Sequence, residues 1–419
     1  MEISSHKTTN KLYIIAWVFG LLFYFLDYVI RSAPAVMIPQ LSQQFNVTSV
    51  GLITIIGTYY YTYSTCSLVA GIALDKFGAK YSLFIGTLIL GIGCLLFLAS
   101  TAFVGTTGRL LQGAGCAFAF PGCVYLASKG FSAKSLATAI GFTQCLGMLG
   151  GSAGQFIVAP MLEKGMHIDT FWLVIGVITI VVAIGLGIVI PGQKKNNATA
   201  ETKNAPQQKT GLLHPYKIVF SNPQSWLCGV ISGLLFAPTT IFAMTWAVAF
   251  FQEDRAFDYH SASISSAMVA FGWAFGCPIL GYVTDKIGRR KPVLRFGALM
   301  MIGSLILLLY FPNLIPESYS MFLLGVGSGA AMIPYSIIKE ANPDEVKGSA
   351  TGAINFITFS ITTLLSPLFT HLFGKTLATT THKALHFQQA GLFWVASIAL
   401  AILLSYILKE TGRGKTVAA

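Results

Sequence analysis

Charged side chains are scarce. They make up 10% of the 419 residues, against about 25% in soluble domains, and only 15 are acidic. A chain this poor in charge cannot keep a large surface wetted, and its few acids leave no paired acid–base site of the enzymatic kind. Cysteine is also sparse. Cys66, Cys94, Cys116, Cys123, Cys145, Cys228 and Cys277 all fall inside apolar runs and form no CxxC pair. They read as buried packing residues, with no disulfide framework and no metal centre. His382 and His386 stand four apart, with His371 upstream, but no third ligand follows at a defined spacing, so a solvated loop is expected. No Walker-type loop, nucleophile elbow or zinc signature occurs, so neither an enzyme nor a cofactor is expected. The net charge of +12 is scattered between apolar runs, without a basic stripe, which argues against nucleic acid.

What is abundant is hydrocarbon: 54% of residues are hydrophobic and the mean hydropathy is +0.69. About 20 apolar residues span about 30 Å of bilayer core. Twelve such runs are expected near 13–38, 50–73, 80–100, 102–128, 135–162, 171–191, 226–251, 261–283, 292–311, 318–338, 346–372 and 389–408. Long continuous runs favour helices over a barrel, so an all-α membrane protein is expected. The first run is too long for a signal peptide and lacks an A-x-A-like end, so it reads as a permanent span.

Residues 192–225 are rich in Lys, Asn, Gln and Thr and divide six spans from six. The expected organisation is a six-helix bundle over 1–191, a cytoplasmic linker over 192–225 and a second bundle over 226–419. With the N-terminus inside, 21 of the 27 Lys and Arg fall on inner segments and four on outer loops. That bias places both termini in the cytoplasm. A monomer in a bacterial inner membrane is expected.

The two halves echo each other. "GIALDKFGAK" (71–80) recurs as "GYVTDKIGRR" (281–290), "QGAGCAFAFP" (112–121) as "LGVGSGAAMIP" (324–334), and "ATAIGF" (137–142) as "ATGAINF" (350–356). In the first pair the glycines Gly71 and Gly281 read as sites of close helix approach. Asp75 and Asp285 emerge at the interface, where a neighbouring helix start would attract them. Lys76, Lys80, Lys286, Arg289 and Arg290 suit the anionic inner leaflet, and Gly78 and Gly288 suit a tight turn. Two copies at equivalent positions read as a gate and not as an incidental turn. The loops resemble the signature loop of the major facilitator superfamily, and Arg109-Leu-Leu-Gln112-Gly113 is similar to that family's R-x-x-Q-G. The resemblance implies two six-helix bundles rocking about a central cavity, with the loop motifs stabilising the outward-open state.

Asp27 and Arg31 are the charges that the first apolar run should not contain. Four residues apart, they share a helix face. A mid-bilayer charge costs about 2.5–3.5 kcal/mol on insertion scales, so that face needs water or a partner. They are placed about 24 and 30 Å along the helix from Lys11, at the floor of an outer vestibule. One reading is a static ion pair. The other has Arg31 receive an anionic group of a substrate while Asp27 exchanges a proton. Arg109 reads as a second anchor, a gate or a packing residue. Two cations against one acid favour anionic or zwitterionic substrates. Further cavity candidates are Tyr28, Gln112, Gln144, Trp246, Tyr335 and Asn355, with one or two of Tyr59, Tyr60, Tyr61 and Tyr63. The buried arginines resemble the anion:cation symporter branch of the superfamily. The acid, arginine and proline of the first helix resemble, less closely, bacterial relatives of the lysosomal dipeptide transporter. The expectation is proton-coupled symport of a small carboxylate, amino acid or peptide-like solute. An uncoupled facilitator or exporter, and a transport-dead sensor or scaffold, are the alternatives.

Overall fold

In lipid a backbone must satisfy its own hydrogen bonds, and this chain does so with helices. The computed structural model describes residues 2–131, 133–192, 213–343, 346–378 and 383–412; within them, the side chains of 2–10, 75–76, 133–138, 373–378 and 383–387 lie outside the description. No strand occurs among the described residues.

The first half of the chain holds α1 (Glu2–Ser32), α2 (Ile38–Phe45), α3 (Ser49–Gly57), α4 (Tyr59–Leu95), α5 (Ala102–Cys116), α6 (Ala119–Gly130), α7 (Ala133–Phe156), α8 (Val158–Glu163) and α9 (Ile168–Val189). The second half holds α10 (His214–Ser221), α11 (Pro223–Ala237), a π-helical turn (Pro238–Trp246), α12 (Ala247–Arg255), α13 (Tyr259–Ile287), α14 (Lys291–Tyr310), α15 (Glu317–Ser328), α16 (Ile333–Glu340), α17 (Lys347–Ala378) and α18 (Lys383–Ile407). Prolines explain several of the breaks. Proline cannot donate to the carbonyl four residues back. Pro121 leaves Ala117 without that bond where α5 gives way to α6, and Pro334 does the same to Ala330 between α15 and α16. The second sequence echo is therefore a matched pair of helix breaks.

Eleven helical stretches among the described residues are long and apolar enough to cross a membrane. They coincide within a few residues with eleven of the expected runs. The expected helix over 50–73 is instead two pieces. α3 stops at Gly57, where the Thr58 hydroxyl donates to the Ile55 carbonyl at 2.7 Å, and α4 starts at Tyr59. α4 then continues through the 71–80 loop, broken only at Gly78 (φ 73°, ψ 176°). Gly288, its partner in the second loop, caps α13 at φ 70°. Both values lie in the left-handed region that glycine enters without steric cost.

Small residues let helices touch. A Cβ on Gly272 of α13 would sit 2.1 Å from the Phe322 carbonyl oxygen, and one on Gly325 of α15 would sit 2.0 Å from that of Val269. Close backbone approach of this kind drives helix association where lipid and side chains are equally apolar.

Candidate functional site

α1 carries the buried pair. Asp27 is 0% and Arg31 1% exposed. The Arg31 Nη2 donates to both Asp27 oxygens, at 3.1 and 3.3 Å. Tyr59, at the start of α4, ties the two together: its hydroxyl accepts from Arg31 Nε at 3.1 Å and donates to Asp27 Oδ1 at 2.8 Å. The guanidinium carbon lies 4.2 Å from the Tyr28 ring centre, 4.7 Å from Tyr63, 5.0 Å from Tyr59 and 5.6 Å from Phe359. Cation–π attraction offsets part of its desolvation. The remaining nitrogen, Nη1, is buried and has no hydrogen-bond partner among the described residues. An orphaned buried donor costs about 1–3 kcal/mol, so this one marks a place where a partner belongs.

The expected open vestibule is absent at this pair, because the same aromatic rings close over it. Three of them, Tyr28, Tyr63 and Phe359, also line a central cavity between helices of the two halves, so Arg31 lies one ring-layer behind its wall. The cavity holds about 20 Å³, room for a water molecule. Gln144 of α7 and Asn355 of α17 both line it, each carboxamide oxygen taken by a tyrosine hydroxyl: Tyr24 at 3.2 Å and Tyr335 at 2.5 Å.

Contacts between the halves seal one end of the cavity. Tyr259 donates to the Val36 carbonyl, Ser152 to that of Ala267 at 3.0 Å, and Tyr60 to that of Thr240 at 3.2 Å. Gln155 donates to the Ala243 carbonyl at 3.0 Å and accepts from Ser266 at 3.0 Å. At the other end, where the loop motifs lie, Tyr216 of α10 reaches across. Its hydroxyl donates to the Leu68 carbonyl at 3.3 Å and sits where a Cβ on Gly71 or on Gly352 would be, at 2.6 and 2.8 Å.

This architecture has a counterpart among known proteins, since residues 20–367 match the sequence profile of the Major Facilitator Superfamily. The chain belongs to that superfamily. It is an integral multi-pass membrane protein, a transporter of that general kind and not an enzyme, with a small-molecule substrate. It is 22% identical over 305 residues to the probable sulfoacetate transporter SauU of Cupriavidus necator, covering 67% of each chain. It is 24% identical to the membrane sensor protein UhpC of Escherichia coli, over 93% of this chain and 91% of that one. A bacterial homologue of the human lysosomal transporter Spinster, solved inward-facing and unoccupied, superposes with a TM-score of 0.73 at 16% identity, over 95% of this chain and 97% of that one.

Within the superfamily fold, the expected residues separate. Tyr28, Gln144, Tyr335 and Asn355 line the cavity. Arg109 does not reach it. Its Nε donates to the Ile56 carbonyl at 3.0 Å, Nη1 to those of Ile30 and, as side chain, Gln112 at 3.1 and 2.8 Å, and Nη2 to that of Arg31 at 3.1 Å. Gln112 donates onward to the Gly93 carbonyl at 3.1 Å. Both are clamps on neighbouring backbones, because helix breaks nearby leave carbonyls that need donors. Trp246 is also away from the cavity: the π-helical turn places it against Phe369, 6.2 Å between ring centres. Tyr63 is the member of its tyrosine group on the cavity wall, while Tyr61 is 40% exposed.

The two loops differ in detail. Asp75 and Lys76 have side chains outside the described residues, as do His382 and His386. In the second loop Arg290 donates to Asp285 at 2.6 Å, to Thr284 at 2.8 Å and to Glu340 of α16 at 2.9 Å. Burial opposes its charge, but these two carboxylates outweigh that and hold the guanidinium pKa above its ordinary value. At Gly281 no neighbour among the described residues lies within 4 Å of a Cβ, so the expected close helix approach is not seen there; at Gly71 the approaching group is Tyr216 of α10. Lys286 and Arg289 extend the basic second loop, and Lys80 follows Gly78 in the first.

Sequence reasoning missed the aromatic wall. Tyr24, Phe120, Phe236, Trp273 and Phe359 line the cavity but carry no charge to draw attention. A signal existed for two of them: Tyr24 is four residues before Tyr28, and Phe359 four after Asn355, hence on the same helix faces.

Proposed function

We propose that this transporter moves a small organic anion or zwitterion by alternating access, in symport with protons. The observation that carries the reading is the unpartnered Nη1 of Arg31, buried behind rings that line the cavity. A substrate carboxylate would take that donor. A proton on Asp27 would weaken its hold on Nη2 and free a second donor, so proton and anion would be taken up together.

In this reading the bundles are residues 1–191 and 226–419, joined by the linker, with both termini cytoplasmic. α3 and the first arm of α4 form the twelfth span. The hydrogen-bonded end near Val36 and Tyr259 is the outer gate. The loops at 71–80 and 281–290 form the inner gate and hold the outward-open state. The host membrane is a bacterial inner membrane and the working unit a monomer.

The test is uptake into proteoliposomes from a panel of carboxylates, amino acids and dipeptides at two pH values, with proton flux recorded in parallel. Accumulation of an anion with proton influx, lost in Asp27→Asn and Arg31→Lys, supports the reading. Unchanged substrate-driven proton flux in Asp27→Asn overturns the coupling. Binding without accumulation would set the chain beside its sensor relative.

A further inference from the structure

The cavity wall is specific about which functional groups it can satisfy. Among the described residues, eight of its fourteen lining side chains are aromatic, and none is Asp, Glu, Lys or Arg. Its polar equipment is uncharged hydroxyls, carboxamides and one indole. Tyrosine hydroxyls donate to the side-chain oxygens of Gln144 and Asn355, so in each amide the NH2 group is the end that this bond does not engage. Gln144 is 5% and Asn355 3% exposed, so these are built-in groups and not surface ones. With Arg31 Nη1, which has no hydrogen-bond partner among the described residues, the site brings three nitrogen donor groups together.

An ammonium group would fare poorly here. The nearby acid is Asp27, both of whose oxygens are engaged by Arg31 and one also by Tyr59. The rings of Tyr28, Tyr63 and Phe359 already surround a guanidinium, which would repel a second cation beside them. A ligand ammonium would lose its water and gain no carboxylate, a cost that grows as the surroundings dry out.

We propose that the cavity selects acids without a free amine. The fitting ligand has one carboxylate for Arg31, one carbonyl oxygen for the amide groups of Gln144 and Asn355, and an aromatic or bulky apolar body for the ring-lined wall. N-acylated aromatic amino acids and aromatic 2-oxo acids have this chemistry. Gln144 and Asn355 are the specificity-determining pair, one from each half of the chain. The ligand is larger than the space between the closed walls, so it enters when the halves part. This inference rests on Arg31 as the anion anchor.

The test uses the purified full-length chain and three probes that share a phenyl ring: N-acetylphenylalanine, phenylpyruvate and phenylalanine. Dissociation constants are measured for the unaltered protein, Asn355→Asp, Gln144→Glu and Arg31→Lys, each checked for a cooperative melt. The expected result is at least tenfold tighter binding of the two amine-free acids than of phenylalanine. Either acidic substitution should narrow or reverse that ratio, and Arg31→Lys should weaken all three probes. If phenylalanine binds as tightly as the acylated acid, the selectivity is overturned, while a loss in Arg31→Lys keeps the anion anchor. If the probes bind and Arg31→Lys changes nothing, the anchor falls and the inference with it. If none of the three binds the folded protein, the substrate class named here is overturned. Should one acidic variant fail to fold, the other carries the test.

Discussion

Arg109 donates to the main-chain carbonyl of Arg31 at 3.1 Å, so one buried cation holds the backbone of another. The same guanidinium reaches Ile30 and Ile56, pinning the end of α1 to the end of α3. Arg109 is thus a positioning residue. It sets where Arg31 stands without touching the cavity.

Arg109→Lys should separate these roles. An ammonium cannot span carbonyls that a planar fork serves together. At least one buried carbonyl would lose its donor, at about 1–3 kcal/mol each. The expected outcome is a clear fall in melting temperature in detergent, whereas Arg31→Lys should lose ligand affinity more than stability. Thermal melting and ligand titration on the same samples check this.

Tyr59→Phe removes a hydroxyl bonded to both members of the buried pair. The ring, and with it the cation–π contact, remains. Arg31 Nε is orphaned and Asp27 loses its hydroxyl donor. Substrate-driven proton uptake into liposomes should fall about tenfold, with a stability loss of about 1–3 kcal/mol. Full proton uptake in the variant would show that the bridge has no part in coupling.

Gly352→Ala should be poorly tolerated, because the new methyl would lie 2.8 Å from the Tyr216 hydroxyl. Combining it with Tyr216→Phe removes that oxygen. The double variant should recover melting temperature and transport relative to Gly352→Ala alone, a coupling that a double-mutant cycle measures directly.

Glu410 supplies a pH dependence. Its carboxylate is partly buried, which by itself would raise its pKa, yet it accepts from the backbone N–H groups of Arg290 (2.7 Å), Lys291 (3.0 Å) and Gly412 (3.2 Å), and these bonds lower it overall. Two of the donors open α14, where the helix dipole also favours an anion. With the folded pKa depressed, the stabilisation is present above the ordinary glutamate range near about 4.3 and is lost as pH falls through the folded value. Melting temperature should drop on acidification below about pH 5, and less steeply in Glu410→Gln.

Much of the fold could be read from hydrophobic run length alone, since lipid leaves few alternatives to a helix. The repeat was legible too, and the matched positive φ of Gly78 and Gly288 shows that its glycines answer a backbone need. The Asp27–Arg31 pairing followed from their spacing. The break at Thr58 did not, because no proline announces it and one glycine followed by hydroxyl-bearing side chains does not by itself end a helix. Nor did the separation of Arg109 and Trp246 from the cavity. Both lie on suitable helices, but Arg109 turns to carbonyls left open by helix breaks close in space though remote in sequence, and the π-helical turn sets Trp246 against Phe369. The aromatic wall escaped for the opposite reason: rings that line a cavity and rings that fill a core look alike in one dimension.

The placement of Tyr216 has a consequence for how the molecule can be assembled. α10 runs directly into α11, so the residue that grips Leu68 and nestles against Gly71 belongs covalently to the later half of the polypeptide. A protein produced as two separate fragments, divided between residues 192 and 213, would forfeit the tether but keep this docking element on the downstream piece. The interface would then be reformed by mutual recognition of two chains, with a tyrosine already supplied as the plug.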